Sequence, residues 1–427
     1  MSGTLLTVSE TILDEWATKP DGPVALRLKQ RLLPVEDSQI IFPPTYADIG
    51  YNIDTLSDNT RVVTVDSVGS QANRLEPIFK SESKDPRDWL VPQIEIIIRE
   101  EPCGECPGCR KAQAGGSKSG NKSPCTQPRE VTRSLLDLPH RAADAVVQAS
   151  PDLLKIVAPA FKALQQGDAG PLCAIAPTSL VFGVWDSRGE TGEKRPRLVR
   201  SIIRAWDVEL LHAAAQFNSV WKLLDEEQKE TLQKEAKAKK VELSEMGFKD
   251  APAVFRQISD SQKVPQYRDG APNPEARVLG GVLVKGRVER DVTVNLVALR
   301  GLRGADEQES KAIRKYLLGL TLMTATADME LFLREGCLLR YAEDGDRWYQ
   351  VPRRGEPAEV TLVPDTVRAY ATQAAAHFRA KWPEVFHHKW PADGRPPVEL
   401  KYRFDINKAK ELLAKKTQGE EPGAEKG

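Results

Sequence analysis

Four of the six cysteines stand close together, as Cys103, Cys106, Cys109 and Cys125, in the pattern C-x2-C-x2-C-x15-C. Thiolates this near in sequence can converge on one tetrahedral cation, and four sulfurs are a common ligand set for a structural zinc ion. The three-cysteine run also resembles that of cluster-binding ferredoxins, although the fourth spacing is longer than that pattern uses, and unligated thiols are the third possibility. Between the last two cysteines AQAGGSKSGNKSP reads as a flexible loop. Cys173 and Cys337 sit in apolar runs and read as buried core thiols. So few cysteines, mostly clustered, argue against a disulfide framework and for a reducing compartment.

Catalytic side chains are hard to find. His140 stands at a helix start, where capping is its plainest role, and His212 and His377 lie within helical patterns. The adjacent His387 and His388, between Trp382 and Trp390 in a Pro-flanked loop, are a weak candidate for metal or acid–base work. No nucleophile elbow, no H-E-x-x-H and no paired carboxylates in a distinctive setting occur, so the chain reads as non-catalytic.

Residues suited to holding a phosphate are more plentiful. VVTVDSVGSQANRLEPIF, residues 62–79, opens as a strand and turns at Asp66, a good N-cap. It continues as a helix with Val68, Ala72, Leu75 and Phe79 on the buried stripe. Ser67, Ser70, Gln71 and Arg74 fall opposite, with Asn73 beside them. Hydroxyls, amides and one Arg donate hydrogen bonds without mutual repulsion, which suits a phosphate or sugar across a helix N-terminus. Gly69 leaves room for a ligand backbone. A polar face with no ligand is the plainer alternative.

VALRLKQRLL, residues 24–33, alternates strictly, with Val24, Leu26, Leu28 and Leu32 on one face and Arg27, Lys29 and Arg31 on the other. Three cations make a basic strip, whereas a merely solvated face more usually mixes both signs. SLVFGVWDSRGETGEKRPRLVRSIIRAWDV reads as a long hairpin of two β-type runs, with Arg200 and Arg204 on the side of Ile202 and Trp206. A basic hairpin with an aromatic near its base can wedge into a nucleic-acid strand, or can simply be solvated. In RGLRG, Arg300 and Arg303 precede a helix beginning near Asp306 with Glu309 in capping-box position, a weak phosphate cradle without Walker spacing.

The run VDSVGSQANRLEPIF resembles the signature of the backbone subunit of type I-G (formerly type I-U) CRISPR surveillance complexes, a family in the repeat-associated (RAMP) superfamily of RNA-binding proteins. LRLKQRLLPVEDSQIIFPPTYAD, LLDLPHRAADAV, PTSLVFGVWDSRG, PRLVRSIIRAWDV and LGGVLVKG match the family in the same order, out to about residue 330. The resemblance implies an α+β fold, with a ferredoxin-like or RRM-type antiparallel sheet carrying large insertions. It implies a non-catalytic protein that oligomerises along the CRISPR guide RNA in a Cascade-type complex. There it would grip the backbone, push a hairpin thumb between nucleotides and present the guide for pairing with target DNA in antiviral defence. The partners implied are guide RNA, target DNA through the guide, other copies of the chain, a large subunit, a guide-processing subunit and a helicase-nuclease. Some superfamily relatives cut RNA with a His base or a loop Asp. RNA endonuclease is therefore the alternative reading, with Asp48 or Asp54 as the candidate acid. The cysteine insertion lies outside the family pattern and reads as an accessory knuckle.

The 427 residues suffice for one large core, and 61 basic against 61 acidic residues confine any nucleic-acid surface to a local patch. No apolar run approaches the roughly 20 residues of a membrane span, and the first residues lack a secretory pattern, so the cytoplasm is the expected location. The expected organisation is one RNA-binding domain over 1–416 with insertions at 101–128, 186–199 (the basic hairpin tip) and 218–275, then a disordered tail over 417–427. Residues 221–240 read as a projecting charged helix with Asp225–Lys229, Glu230–Lys234 and Glu235–Lys239 pairs. Ile313, Tyr316, Leu317 and Leu320, then Val367, Tyr370, Ala374 and Phe378, mark two helices with a buried face.

Overall fold

The computed structural model describes residues 6–46, 49–106, 109–110, 125–126, 128–213, 220–241, 243, 248, 267–268, 271–272, 278–391 and 399–419. Alternating apolar residues build one nine-stranded sheet. In chain order its strands are β1 (Leu6–Thr7), β2 (Ala25–Pro34), β3 (Ile53–Thr55), β4 (Arg61–Asp66), β5 (Val199–Trp206), β6 (Val288–Asn295), β7 (Phe332–Arg334), β8 (Cys337–Val351) and β9 (Ala358–Thr361). Across the sheet the order is β1-β9-β8-β2-β6-β5-β4-β3, with β7 paired to β8. All neighbours are antiparallel except β1 on β9. The fold is therefore α+β, and the sheet holds both the alternating 24–33 strand and the β-rich strand before Asp66, as expected.

Alternation decides which face is covered. In β2, Leu26, Leu28, Gln30 and Leu32 are buried, while Arg27, Lys29 and Arg31 point the other way. Over one part of the buried face lie α1 (Glu10–Thr18), α2 (Val68–Leu75), α3 (Glu307–Thr326) and α4 (Pro364–Phe378). Over the other part Ile41, Val208, Val282 and Val284, from a small sheet of Ile40–Ile41, Val208–Ala213 and Val278–Val284, pack on Leu32, Val65, Ile203 and Val288. A further three-stranded sheet joins Leu400–Arg403, Ile94–Glu101 and Arg129–Ser134. No helix among the described residues is long and apolar enough to cross a membrane.

Both amphipathic stripes are buried as their spacing predicts, although on α4 Ala371 and Ala375 are fully covered while Ala374 is only partly so. The two helices touch at Gly319, where an added Cβ would lie 2.7 Å from the Ala371 Cα. Gly319→Val is expected to cost about 1–3 kcal/mol in a denaturant titration; an unchanged midpoint would disprove this close packing.

Several local expectations change. Asp66 ends β4 instead of capping α2; the cap is Ser67, whose Oγ accepts from the Ser70 N–H at 3.3 Å. The first arm of the expected long hairpin begins inside a helix (Pro177–Val181), which leaves Val184–Trp185 paired with Lys194–Arg195. In the charged helix Glu226–Lys239, Asp225 is the N-cap, and Lys229 pairs with Glu226 instead of Asp225. The other two expected pairs form. Helix Ile406–Gly419 includes the first three residues of the expected tail; residues 420–427, all of 111–124 and most of 249–277 lie outside the described residues.

Candidate nucleic-acid interface and metal centre

The polar stripe of α2 divides in two. Gln71 is fully buried: its Nε2 donates to Asp66 Oδ2 at 2.6 Å, and its Oε1 accepts from Ser201 Oγ at 2.7 Å. Buried Arg290 donates on to Ser201 Oγ at 3.0 Å and Gln30 Oε1 at 3.1 Å, and Gln30 Nε2 donates to Asp346 Oδ2 at 2.9 Å. This polar chain crosses the covered side of the sheet, so Gln71 serves the interior and not a ligand. Gly69, Asn73 and Arg74 remain exposed, with Ser67 and Ser70 half-buried. Space is open beyond Gly69, where an added Cβ would meet nothing within 4 Å.

Arg74 is anchored from below. Its Nε lies 3.2 Å from Asp66 Oδ2, and its Nη2 donates to the Leu333 carbonyl at 2.6 Å. Arg334 approaches the other oxygen of Asp66 at 3.6 Å and donates to the Val65 carbonyl at 2.9 Å. Asp66 is wholly buried, whereas about a third of the Arg74 side chain and about a quarter of Arg334 reach solvent. A carboxylate in the core needs cations on it, and these two supply them while keeping outward N–H donors. Sequence reasoning missed Arg334, because no local signal links it to a motif on the far side of the chain.

The basic strip lies on the opposite side of the sheet from α2. There β6 runs between β2 and β5, and its acids face the cations: Lys29 is in register with Asp291, while Arg31 and Arg204 both meet Glu289. Arg27 lies over the Tyr349 ring at 4.9 Å and, with Arg200, is in register with Thr293. The face therefore carries cationic columns on β2 and β5 with an acidic column between them. The mixture arises from the sheet order, which sets β6 between two strands distant in the chain.

The structure separates Arg300 from Arg303. The Arg300 guanidinium donates to the carbonyls of Trp16 at 2.9 Å and Pro23 at 2.6 Å, tying down the end of α1. Arg303 is exposed on the rim of a cleft of about 370 Å³, and Arg195 from the basic hairpin stands on the same rim. Arg195 is itself held by Glu193 and by the Leu164 carbonyl at 2.9 Å. At the hairpin base Trp185 is exposed, with Lys194 over its ring at 5.5 Å.

Among the other acid–base candidates, Asp54 is exposed on the edge strand β3, and Asp48 and the His212 side chain lie outside the described residues. His140 heads the turn Arg141–Ala143 without a side-chain cap bond. His387 and His388 meet edge to face at 5.8 Å, and burial, then Lys389, holds the His388 pKa below the usual imidazole value.

The cysteines do converge. Sγ separations are 3.6 Å for Cys103–Cys125, 3.7 Å for Cys106–Cys125 and 3.9 Å for Cys103–Cys109, and all four sulfurs lie within 4.8 Å of one another. Zinc–sulfur bonds of about 2.3 Å imply tetrahedron edges of about 3.8 Å, so the set fits a four-sulfur ion. Backbone N–H groups of Cys106 and Cys109 donate to the sulfurs of Cys103 and Cys106 at 3.3 and 3.5 Å. The Cys109 and Thr126 backbone N–H groups pull the Cys106 thiol down to about 5, while burial and the neighbouring Cys106 sulfur push the Cys109 thiol up to about 12. Such an ion would act as a cross-link at the end of the Ile94–Glu101 strand. Cys173 and Cys337 are buried, and burial pushes the Cys337 thiol up to about 11 although the Arg334 side chain hydrogen-bonds it.

Residues 26–210 match the family described as CRISPR-associated protein GSU0053. Over that stretch the chain is similar to CRISPR-associated proteins. No curated protein matches it. The CRISPR-like segment contains β2, β4, α2, β5, the hairpin and the cysteines, while Arg300, Arg303, Arg334 and the acids of β6 lie beyond it.

Proposed function

We propose that this chain is a non-catalytic, guide-RNA-binding backbone subunit of a type I-G, Cascade-type CRISPR complex, working in the cytoplasm. The carrying observation is the CRISPR match over 26–210, because that segment holds Arg27, Lys29, Arg31, Arg74, Arg200 and Arg204 together with the exposed end of α2. Copies of the chain line up along one guide and hold it for pairing with target DNA. The large subunit, the guide-processing subunit and the helicase-nuclease complete the assembly. Grip at α2 comes from directed donors: the Asn73 amide and the outward N–H groups of Arg74, with Gly69 leaving room for the strand. The β2 and β5 cations contribute less each, since the acids of β6 partly compensate them. Zinc in the cysteine knuckle is structural and takes no part in the grip.

Arg74→Ala is expected to weaken binding about equally for two unrelated guides and to make the salt dependence shallower by roughly 0.7 log units of affinity per log unit of salt. Because Arg74 also neutralises Asp66, a thermal melt and Arg74→Lys accompany it; the lysine variant should recover much of the affinity. A strongly sequence-dependent loss, or unchanged affinity in a folded variant, contradicts backbone grip. Guide cleavage by the wild-type protein in Mg²⁺, abolished by Asp54→Asn, would favour an endonuclease instead.

A further inference from the structure

On the side of the sheet away from α2, β8 adds a ring and a cation to the strip on β2. From Asp346 to Val351 the two strands pair without a break, which sets Arg347 opposite Lys29 and Tyr349 opposite Arg27. Residues directly opposite on antiparallel strands share a face, with Cβ atoms about 5 Å apart. Trp348 and Leu28, which lie between them, turn to the covered side and are buried. The four side chains therefore form one block, with Arg27 and Tyr349 in one row and Lys29 and Arg347 in the next. The Arg27 guanidinium lies over the Tyr349 ring, 4.9 Å from its centre.

These cations have no partner of their own. Among the described residues no ion pair or hydrogen bond engages the side chains of Arg27, Lys29 or Arg347, and Arg347 is exposed. The acids in register with the block, Asp291 beside Lys29 and Glu359 beside Tyr349, make no ion pair either. The same face has a second stack, Arg287 over the Trp206 ring at 4.9 Å, but there Glu289 holds the guanidinium at 2.9 Å. Only the Tyr349 stack thus keeps its cation free. A guanidinium on a ring is a flat surface with N–H donors at its edge, and bases stack on aromatic rings and on guanidinium planes alike. Two further cations one row away suit the phosphate joined to such a base. An acidic peptide would satisfy the charges and leave the flat surface unused.

We propose that Arg27, Lys29, Arg347 and Tyr349 hold one nucleotide of single-stranded RNA, its base extending the Arg27–Tyr349 stack and its phosphate on Lys29 and Arg347. This rests on the RNA-binding reading above and deepens it, because β8 lies outside the matched segment and supplies the ring that the strip on β2 lacks.

The test measures anisotropy of two labelled, unrelated single-stranded RNAs with the full chain. Each variant is made both in the wild type and in Arg74→Ala, so that grip at α2 does not mask a loss on this face. Tyr349→Leu should weaken both RNAs by about fivefold to a hundredfold with an unchanged salt slope, because stacking displaces no counterions. Tyr349→Phe should retain affinity, since the ring and not the hydroxyl is used. Tyr349→Trp should retain it too, and RNA should quench its emission beyond any change in the eight native tryptophans. Arg347→Gln should lower affinity and make the salt dependence shallower by roughly 0.7 log units of affinity per log unit of salt. Thermal melts of all variants separate unfolding from a lost contact. Wild-type affinity in folded Tyr349→Leu, with a loss in Arg347→Gln, would leave a cationic surface fit for an acidic protein and overturn the stacking site. Wild-type affinity in both would overturn this inference and leave the grip at α2 standing. A wild-type chain that binds neither RNA would overturn the functional reading itself, and this inference with it.

Discussion

Arg141→Ala is expected to destabilise the protein by about 3–5 kcal/mol, the cost of stranding one member of a buried ion pair. Arg141 Nε lies 2.6 Å from Glu76 Oε2, and the two side chains are only 4% and 1% exposed. The guanidinium also lies over the Phe182 ring at 4.9 Å, and Thr178 hydrogen-bonds the carboxyl group. Three distant segments therefore meet here: the turn after α2, the Arg141–Ala143 turn and the Pro177–Val181 helix. Arg141 holds φ +53°, a left-handed conformation that only surrounding structure can impose on an arginine.

Burial lifts the Glu76 carboxyl to about 7 from an ordinary 4.5, even against the attraction of Arg141. Between those values the folded chain keeps a proton that the unfolded chain has lost, so the contribution of this group to stability falls as pH rises through that window. Removing Arg141 removes the main influence lowering the pKa. The loss should be greatest at pH 8, where the carboxyl must enter the core charged or take up a proton, and smaller at pH 5. Glu76→Gln should lack this pH dependence. Urea titrations at both pH values decide; a loss under 1 kcal/mol, or an equal one at both, contradicts the buried-pair account.

Metal removal should have an all-or-none local effect. The purified chain is expected to hold about one zinc ion, and Cys106→Ser or Cys125→Ser to hold none, because structural zinc sites bind with about 10–16 kcal/mol and depend on the full ligand set. The knuckle joins the ends of Ile94–Glu101 and Arg129–Ser134, away from the helix-covered core. A chelator should therefore abolish amide protection near Cys103 and Cys125 and leave the global melt within a few degrees. Metal analysis that finds no ion, or iron with a visible charge-transfer band, would exclude the zinc site. A collapse of the whole fold on chelation would exclude the accessory role.

What could be read from sequence has a short physical range. Strict alternation over 24–33 sets which side of β2 is charged, since successive side chains on a strand point oppositely. Helical spacing likewise sets the buried faces of α3 and α4, and Cys residues three apart in sequence are near enough to share one cation. The candidate site needed more. On α2 the stripe that contains Gln71 is polar by any count, yet Gln71 faces inward because β5 places Ser201 against it and β4 ends in a buried acid. Asp66 suits an N-cap locally and is instead the anchor for Arg74 and Arg334. The acids of β6 fall between two basic strands only because the sheet order interleaves segments far apart in the chain. Arg74 meets the Leu333 carbonyl across 259 residues. Periodicity is a property of one backbone segment and is already present in the sequence, whereas strand order and register depend on which distant surfaces bury each other, and only the folded chain decides that.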